Sequence, residues 1–170
     1  MKKMMQRMER RHLDRVILGL GSNVGDKRAY IQGAIGLLKN ILQDVLVSSI
    51  YRTSPQDYIF QDDFYNVVLL GFYSGLPQEL LSEIQKIETM SARDRKSEIP
   101  KGPRTLDIDI LFFGDLELYT PTLTIPHPSI KKRAFVLVPL LELLPDFRWK
   151  GESYMSFLAN ISDQTVEKIS

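Results

Sequence analysis

The chain has 170 residues, 44% of them apolar and 25% charged, with no cysteine and two histidines, His12 and His127; that is the balance of one ordinary globular domain, not of a disordered or fibrous chain. Disulfide frameworks, zinc–cysteine sites, thiol nucleophiles and multi-histidine metal centres are excluded together, and no apolar run reaches the roughly 18 residues of a membrane span. The net charge of +1 divides unevenly: residues 1–15 carry six basic and two acidic groups, leaving 16 basic and 19 acidic for the remainder, the wrong sign for a domain built around nucleic acid.

Residues 1–15 hold four of the six methionines within their first eight positions and lack the apolar stretch of a signal peptide. They read as an unstructured basic leader or a misplaced translation start. Glu9, Asp14 and the absence of serine argue against an organellar transit peptide, so the cytoplasm is the expected setting. Residues 16–170 are expected to form a single domain. Val16–Leu20 predicts a strand, followed by a tight turn in Gly-Ser-Asn-Val-Gly. Asp26 is placed to cap a helix whose apolar positions Ile31, Ala34, Ile35, Leu38, Ile41 and Leu42 recur at helical spacing. Gly33 and Gly36 weaken it, and close packing on a sheet is expected to compensate. Val45–Thr53, rich in β-branched residues, predicts a second strand. A polar loop over 54–63 leads to a third, Phe64–Tyr73, apolar on both faces. Pro77 opens a helix with Leu80, Leu81, Ile84 and Ile87 on one side. A charged loop over 91–103 precedes a fourth strand, Thr105–Phe113. Beyond His127, a basic segment leads into an apolar helix around Val138–Leu144. The order β-α-β-β-α-β with C-terminal helical additions predicts an α+β fold: a ferredoxin-like sandwich with helices on one face of a mostly antiparallel sheet.

The fourth strand carries the chemistry. Residues two apart on a strand share a face, so Leu106, Ile108 and Ile110 point one way and Asp107 and Asp109 the other. An Asp-x-Asp pair is often a solvent-facing edge. Here Leu111-Phe-Phe113 continues directly, and two like charges on such a strand need a counter-charge. Magnesium, which takes one or two carboxylates and leaves positions for phosphate oxygens and water, supplies it. Arg93, Arg95, Lys96, Lys101 and Arg104 cluster just upstream. Alone they read as a solvated loop. Beside an acidic pair they suit a phosphate chain, because guanidinium groups grip its oxygens in parallel pairs. Glycines and prolines flanking the loop would let it close over a nucleotide.

Four segments make the sequence recognisable: Leu20-Gly-Ser-Asn23; Tyr51-Arg-Thr-Ser-Pro55 with Phe64-Tyr-Asn66; Gly102-Pro-Arg-Thr-Leu-Asp-Ile-Asp109; and Pro126-His127 with Lys132-Arg-Ala-Phe135. In order and spacing the chain resembles the 6-hydroxymethyl-7,8-dihydropterin pyrophosphokinase family of folate biosynthesis. The resemblance implies transfer of pyrophosphate from MgATP to the pterin's hydroxymethyl oxygen, with release of AMP. It implies two magnesium ions on Asp107 and Asp109, and loop arginines Arg93 and Arg104 that hold and activate the triphosphate, with Arg95 and Lys96 nearby. Further ATP contacts are implied at Gln85, Glu88, Ile110, Thr124, His127 and Arg133. The implied pterin pocket is Thr53, Ser54, Pro55, Phe64, Asn66 and Phe135. Small-molecule partners and a monomer are expected, with neither nucleic acid nor membrane. Chemistry agrees with these roles. A flat pterin wants an aromatic ring on each face and an amide at its polar edge. Taken alone, either phenylalanine reads as core, whereas Asn66 inside an apolar strand needs partners. The sequence departs from the family where a tryptophan often precedes the Gly-Pro-Arg and Pro100-Lys101 stands instead. Phe64 stands where tyrosine is common, and Ser54 where proline is.

Three rivals fit less well. A dinucleotide fingerprint would need G-x-G-x-x-G, but Gly19, Gly21 and Gly25 give a longer spacing, and the second strand ends in Arg52-Thr53 instead of an acid. An RNA-recognition module shares the element order, yet its aromatic signature is missing and the domain is acidic. A regulatory domain without chemistry has no need of an aspartate pair facing an arginine-rich loop.

Overall fold

The computed structural model describes residues 12–55, 59–91 and 105–170. Along them the chain runs β1 (Asp14–Ser22), α1 (Lys27–Leu38), β2 (Gln43–Val47), β3 (Tyr51–Thr53), β4 (Phe64–Tyr73), α2 (Pro77–Met90) and β5 (Asp107–Phe113). There follow a small hairpin, β6 (Leu118–Tyr119) and β7 (Thr124–Ile125), then α3 (Ala134–Leu143), a second hairpin, β8 (Arg148–Trp149) and β9 (Glu152–Ser153), then α4 (Tyr154–Ala159) and β10 (Val166–Lys168). The expected leader lies outside the described residues up to position 11, as does the charged loop from 92 to 104. β1 starts at Asp14, paired with Tyr73, so two residues assigned to the leader by sequence belong to the sheet.

Six strands form one antiparallel sheet in the order β10-β3-β4-β1-β5, with β2 also beside β4. The single strand expected over Val45–Thr53 is two strands. Between them, Ser48 keeps the chain on β4: its N–H donates to the Val68 carbonyl at 2.9 Å and its Oγ accepts from the Val68 N–H at 3.0 Å. The turn after β1 comes later than the sequence suggests. Gly21 lies inside the strand, and the left-handed residue is Gly25, with φ +66°.

Helices cover both faces of the sheet, not one. Val16, Leu18 and Leu20 of β1, with Val67 and Leu69 of β4, lie buried in one core with Ile31 and Leu38 of α1 and Leu80 and Ile84 of α2. Ile17, Val68 and Leu70 point the other way, into a second core with Leu137 and Leu140 of α3 and Tyr154 of α4. Strands apolar on both sides require two covers, and the two apolar faces noted for Phe64–Tyr73 are the sequence signature of this. In β5 the alternation breaks once. The register with β1 slips opposite Ile17 and Leu18, so Leu111 is an extra residue and both Leu111 and Phe112 join the second core.

Asp26 caps α1 as expected, its Oδ1 accepting from the Ala29 N–H at 3.0 Å. Gly33 and Gly36 do not pack on the sheet. A Cβ at either would meet nothing within 4 Å, because both sit on the solvent side. Substituting each with alanine should therefore raise stability by about 0.5–1 kcal/mol. Urea midpoints of the single and double variants check this, and a loss at either position would show that the glycine is needed for packing. Among the described residues no helix is long and apolar enough to cross a membrane.

Candidate active site

β1 carries side chains toward the second core only as far as Ile17; the next two positions on that face are Gly19 and Gly21. With no side chains there, and α3 covering only the far part of the face, a cavity of about 570 Å³ opens over the sheet. Its floor is ordered by register. Asn66 of β4, Gly21 of β1 and Asp107 of β5 lie in one row across the sheet, and Val68, Gly19 and Asp109 in the next. A Cβ on Gly21 would come within 3.2 Å of the Asn66 Oδ1 and 3.9 Å of the Phe64 ring. The glycine is therefore what keeps the middle of the row clear.

On one side of Gly21 the cavity is bounded by Asn66, and Phe64 and Phe135 are among its lining. Asn66, buried, donates from Nδ2 to the Thr53 Oγ at 2.7 Å, which orients the amide and leaves its oxygen toward Gly21. On the other side are the charges. Asp109 faces the His127 Nε2 at 3.8 Å and an Arg133 guanidinium nitrogen at 4.0 Å. The His127 backbone N–H is tied to the Leu111 carbonyl at 3.0 Å, so the β5 bulge sets this residue's place. Its Nδ1 accepts from the Ser129 N–H at 3.2 Å, which leaves the proton of the neutral ring on Nε2. Burial, then the Arg133 charge, pull the His127 pKa below 6.5 against the opposing pull of Asp107. The ring is thus a neutral donor aimed at the acidic side.

Among the described residues no cluster of three or more metal-ligating side chains is assembled. The donors present are Asp107 and Asp109, on one face of β5 and both lining the cavity. Two hard carboxylate oxygens beside open space fit a cation that takes its remaining ligands from water and phosphate.

The structure gathers Thr53, Ser54, Phe64, Asn66, Phe135, Asp107, Asp109, His127 and Arg133 around this cavity. Pro55, Gln85, Glu88, Ile110 and Thr124 are not among its lining. Gln85 is exposed on α2, Thr124 sits half-buried in β7, and Ile110 belongs to the first core. Glu88 is 1% exposed, and its Oε1 accepts from the Ile108 N–H at 2.9 Å, between the two aspartates. Replacing it with alanine should cost about 1–3 kcal/mol of stability, because that N–H loses its partner in a dry place. A variant of parental stability that had lost only nucleotide affinity would make Glu88 a ligand contact instead. Arg93, Arg95, Lys96 and Arg104 lie outside the described residues. Sequence reasoning missed Gln164, which lines the cavity from the C-terminal segment. An isolated glutamine in a polar stretch carries no signal.

Residues 17–145 match the model of a family described as 7,8-dihydro-6-hydroxymethylpterin-pyrophosphokinase. A 2-amino-4-hydroxy-6-hydroxymethyldihydropteridine pyrophosphokinase of Aquifex aeolicus is 44% identical over 131 residues, 77% of this chain and 81% of the relative. One from Pseudomonas aeruginosa is 39% identical over 160 residues, 92% of this chain and 98% of the relative. The fold is similar to that of a wild-type HPPK-DHPS chain of Plasmodium falciparum, with a TM-score of 0.68 at 15% identity, covering 87% of this chain and 44% of that one. The family match runs from within β1 through α3, and takes in Gly19 and Gly21, the aspartate pair, Phe64 and Phe135. The chain therefore belongs to the 7,8-dihydro-6-hydroxymethylpterin-pyrophosphokinase family.

Proposed function

We propose that this cavity is where the chain performs its family's reaction, the transfer of pyrophosphate from ATP to the hydroxymethyl group of 6-hydroxymethyl-7,8-dihydropterin in folate biosynthesis. The hydroxymethyl oxygen bonds to the β-phosphorus of ATP and gives up its proton to water while the bridge to the α-phosphate breaks, so AMP leaves and the pterin diphosphate remains. The observation that carries this assignment is the row Asn66–Gly21–Asp107, an amide and an acid separated by a position with no side chain. A pterin held at Asn66 would lay its hydroxymethyl arm over Gly21, pointing at the acidic pair.

In this reading Phe64 and Phe135 sandwich the pterin ring, while Thr53, Ser54 and Pro55 with Asn66 read its polar edge. Asp107 and Asp109 would hold magnesium, two ions in all, which when bound neutralises the triphosphate and draws charge from the group in transfer. His127 donates from Nε2 to a phosphate oxygen without adding charge of its own, and Arg133 adds a fixed cation beside Asp109. Arg93 and Arg104, with Arg95 and Lys96, grip the triphosphate from the charged loop; Gln85, Ile110 and Thr124, outside the cavity's lining, would take the rest of the nucleotide, and Glu88 supports β5 from within through the Ile108 N–H. One chain supplies all of these groups, which supports a monomer, and consumption of ATP supports a cytoplasmic setting. The strand order β5-β1-β4-β3 supports reading the central sheet as ferredoxin-like, with α3, α4 and β10 as additions.

The test is incubation with MgATP and the reduced hydroxymethylpterin, followed by nucleotide analysis. AMP is expected in step with pterin consumed. ADP would indicate an ordinary kinase and would overturn the reading.

A further inference from the structure

The N-terminus of α3 carries two groups of the site, Arg133 at the cap position and Phe135 in the first turn, yet no side chain of its own caps it. The Val136 and Leu137 N–H groups both turn back to the Arg133 carbonyl, at 3.0 Å each. The Ala134 N–H is one of the donors that a helix start leaves without an intrahelical partner. Its partner comes from 30 residues downstream: Gln164 accepts that N–H on Oε1 at 2.9 Å, and donates from Nε2 to the Lys132 carbonyl at 2.8 Å. One amide thus grips the backbone on both sides of Arg133.

The other end of this connection is the pterin side of the cavity. Two residues after Gln164, β10 begins, with Val166 opposite Thr53, the residue that orients Asn66. The strand is held to its end, where the Ile169 N–H donates to the Ile50 carbonyl and the Ile50 N–H to the Ser170 carbonyl, both at 2.9 Å. The far end of α3 returns to the same edge, since Glu142 accepts from the Tyr51 hydroxyl at 2.6 Å and from the Ser49 hydroxyl at 2.7 Å. Without Gln164 the first turn of α3 would keep the packing of Val136 and Leu137 in the second core but lose the two hydrogen bonds that hold the backbone on either side of Arg133. Residues 160–170 lie past the stretch that the family model matches.

We infer that Gln164 is a positioning residue for the reaction: through the Lys132 carbonyl and the Ala134 N–H it fixes Arg133 against Asp109 and Phe135 against the pterin slot, and β10 ties that setting to Thr53. This rests on the function proposed above. The side chain acts through Arg133 and Phe135, so its loss weakens substrates only while those groups are present to be misplaced.

The test uses Gln164→Met in the full chain, which keeps the volume and removes both hydrogen bonds. Equilibrium binding of a non-hydrolysable ATP analogue with magnesium, and of the pterin, is measured in the parent, Gln164→Met, Arg133→Ala, Phe135→Ala and the two double variants. Gln164→Met is expected to weaken each ligand by about fivefold, the scale of one or two net hydrogen bonds. Its effect on the nucleotide should shrink below twofold in the Arg133→Ala background, and its effect on the pterin likewise in Phe135→Ala. Gln164→Glu keeps the acceptor for Ala134 and sets a carboxylate against the Lys132 carbonyl. It should hold the parental thermal midpoint, as an acid at a helix start does, and still weaken the neutral pterin. Fully additive losses in the double variants would reduce Gln164 to a general stabiliser and overturn the inference, as would parental affinities in Gln164→Met. AMP release by the parent is scored separately. If the parent gives none, the proposed function fails whatever the binding data show.

Discussion

Replacing Asp109 with alanine is expected to lower turnover by at least about 1,000-fold, equivalent to ~4 kcal/mol of barrier, while the thermal midpoint stays close to that of the parent. The two halves of this result have one cause. Asp107 and Asp109 are like charges on neighbouring same-face positions of β5, and Asp109 is 35% exposed at the edge of the cavity. A carboxylate so placed, repelled by Asp107 and attracted by Arg133, contributes little net to folding. Its removal does lower the charge that would hold magnesium and that faces His127 and Arg133. Asp107→Ala should behave alike, and Asp109→Asn, which keeps the shape and loses the charge, should be nearly as inactive as the alanine. Steady-state rates over a magnesium titration, with melting curves of the same samples, check the pair. Activity near that of the parent at ordinary magnesium in either variant would remove the aspartates from the centre of the chemistry.

Gly21→Val is expected to weaken the pterin by on the order of 100-fold, about 2.7 kcal/mol, with a much smaller loss for the nucleotide. Valine suits a strand, and Gly21 has an ordinary strand conformation, so β1 should form as before. The obstacle is local. The new Cβ starts 3.2 Å from the Asn66 Oδ1, and the methyl groups beyond it stand where the hydroxymethyl arm would lie. Gly21→Ala, which adds the Cβ alone, should show a smaller loss in the same direction. Gly19→Ala should show almost none, because its Cβ would meet only the Leu111 side chain at an ordinary 3.5 Å. Calorimetric titration with pterin and with an ATP analogue separates the cases. Unchanged pterin affinity in Gly21→Val would mean that the ring does not approach the floor between Asn66 and Asp107.

Local rules carried much of this protein from its sequence. Alternation put Asp107 and Asp109 on one face of β5, and helical spacing with an aspartate at its head described α1 and its cap at Asp26, although the helix ends at Leu38 and Ile41 and Leu42, expected within it, lie in the turn beyond. The bounds of β4 follow from its apolar run, and Pro77 marks the start of α2. Each of these depends on neighbours a few residues away, so the pattern is complete in the chain itself. The family resemblance added roles for Phe64, Asn66, His127, Arg133 and Phe135, and these do meet around one cavity. What remained open depends on partners far along the chain. The two apolar faces of β4 call for two covers, but which elements supply the second follows from α3 and α4 folding back onto Ile17 and Leu70. That Gly21 is part of the strand and not of the turn, and with Gly19 forms a floor, follows from β4 and β5 flanking β1 on both sides. β10 is a strand because β3 has an edge to receive it, and Gln164 matters because a helix 30 residues earlier begins without a cap of its own. Composition and spacing therefore determined the elements and the kinds of chemistry available. Which side chains face one another across the cavity was decided by tertiary structure, because strand register and helix docking bring together residues whose local sequence shows no trace of their partners.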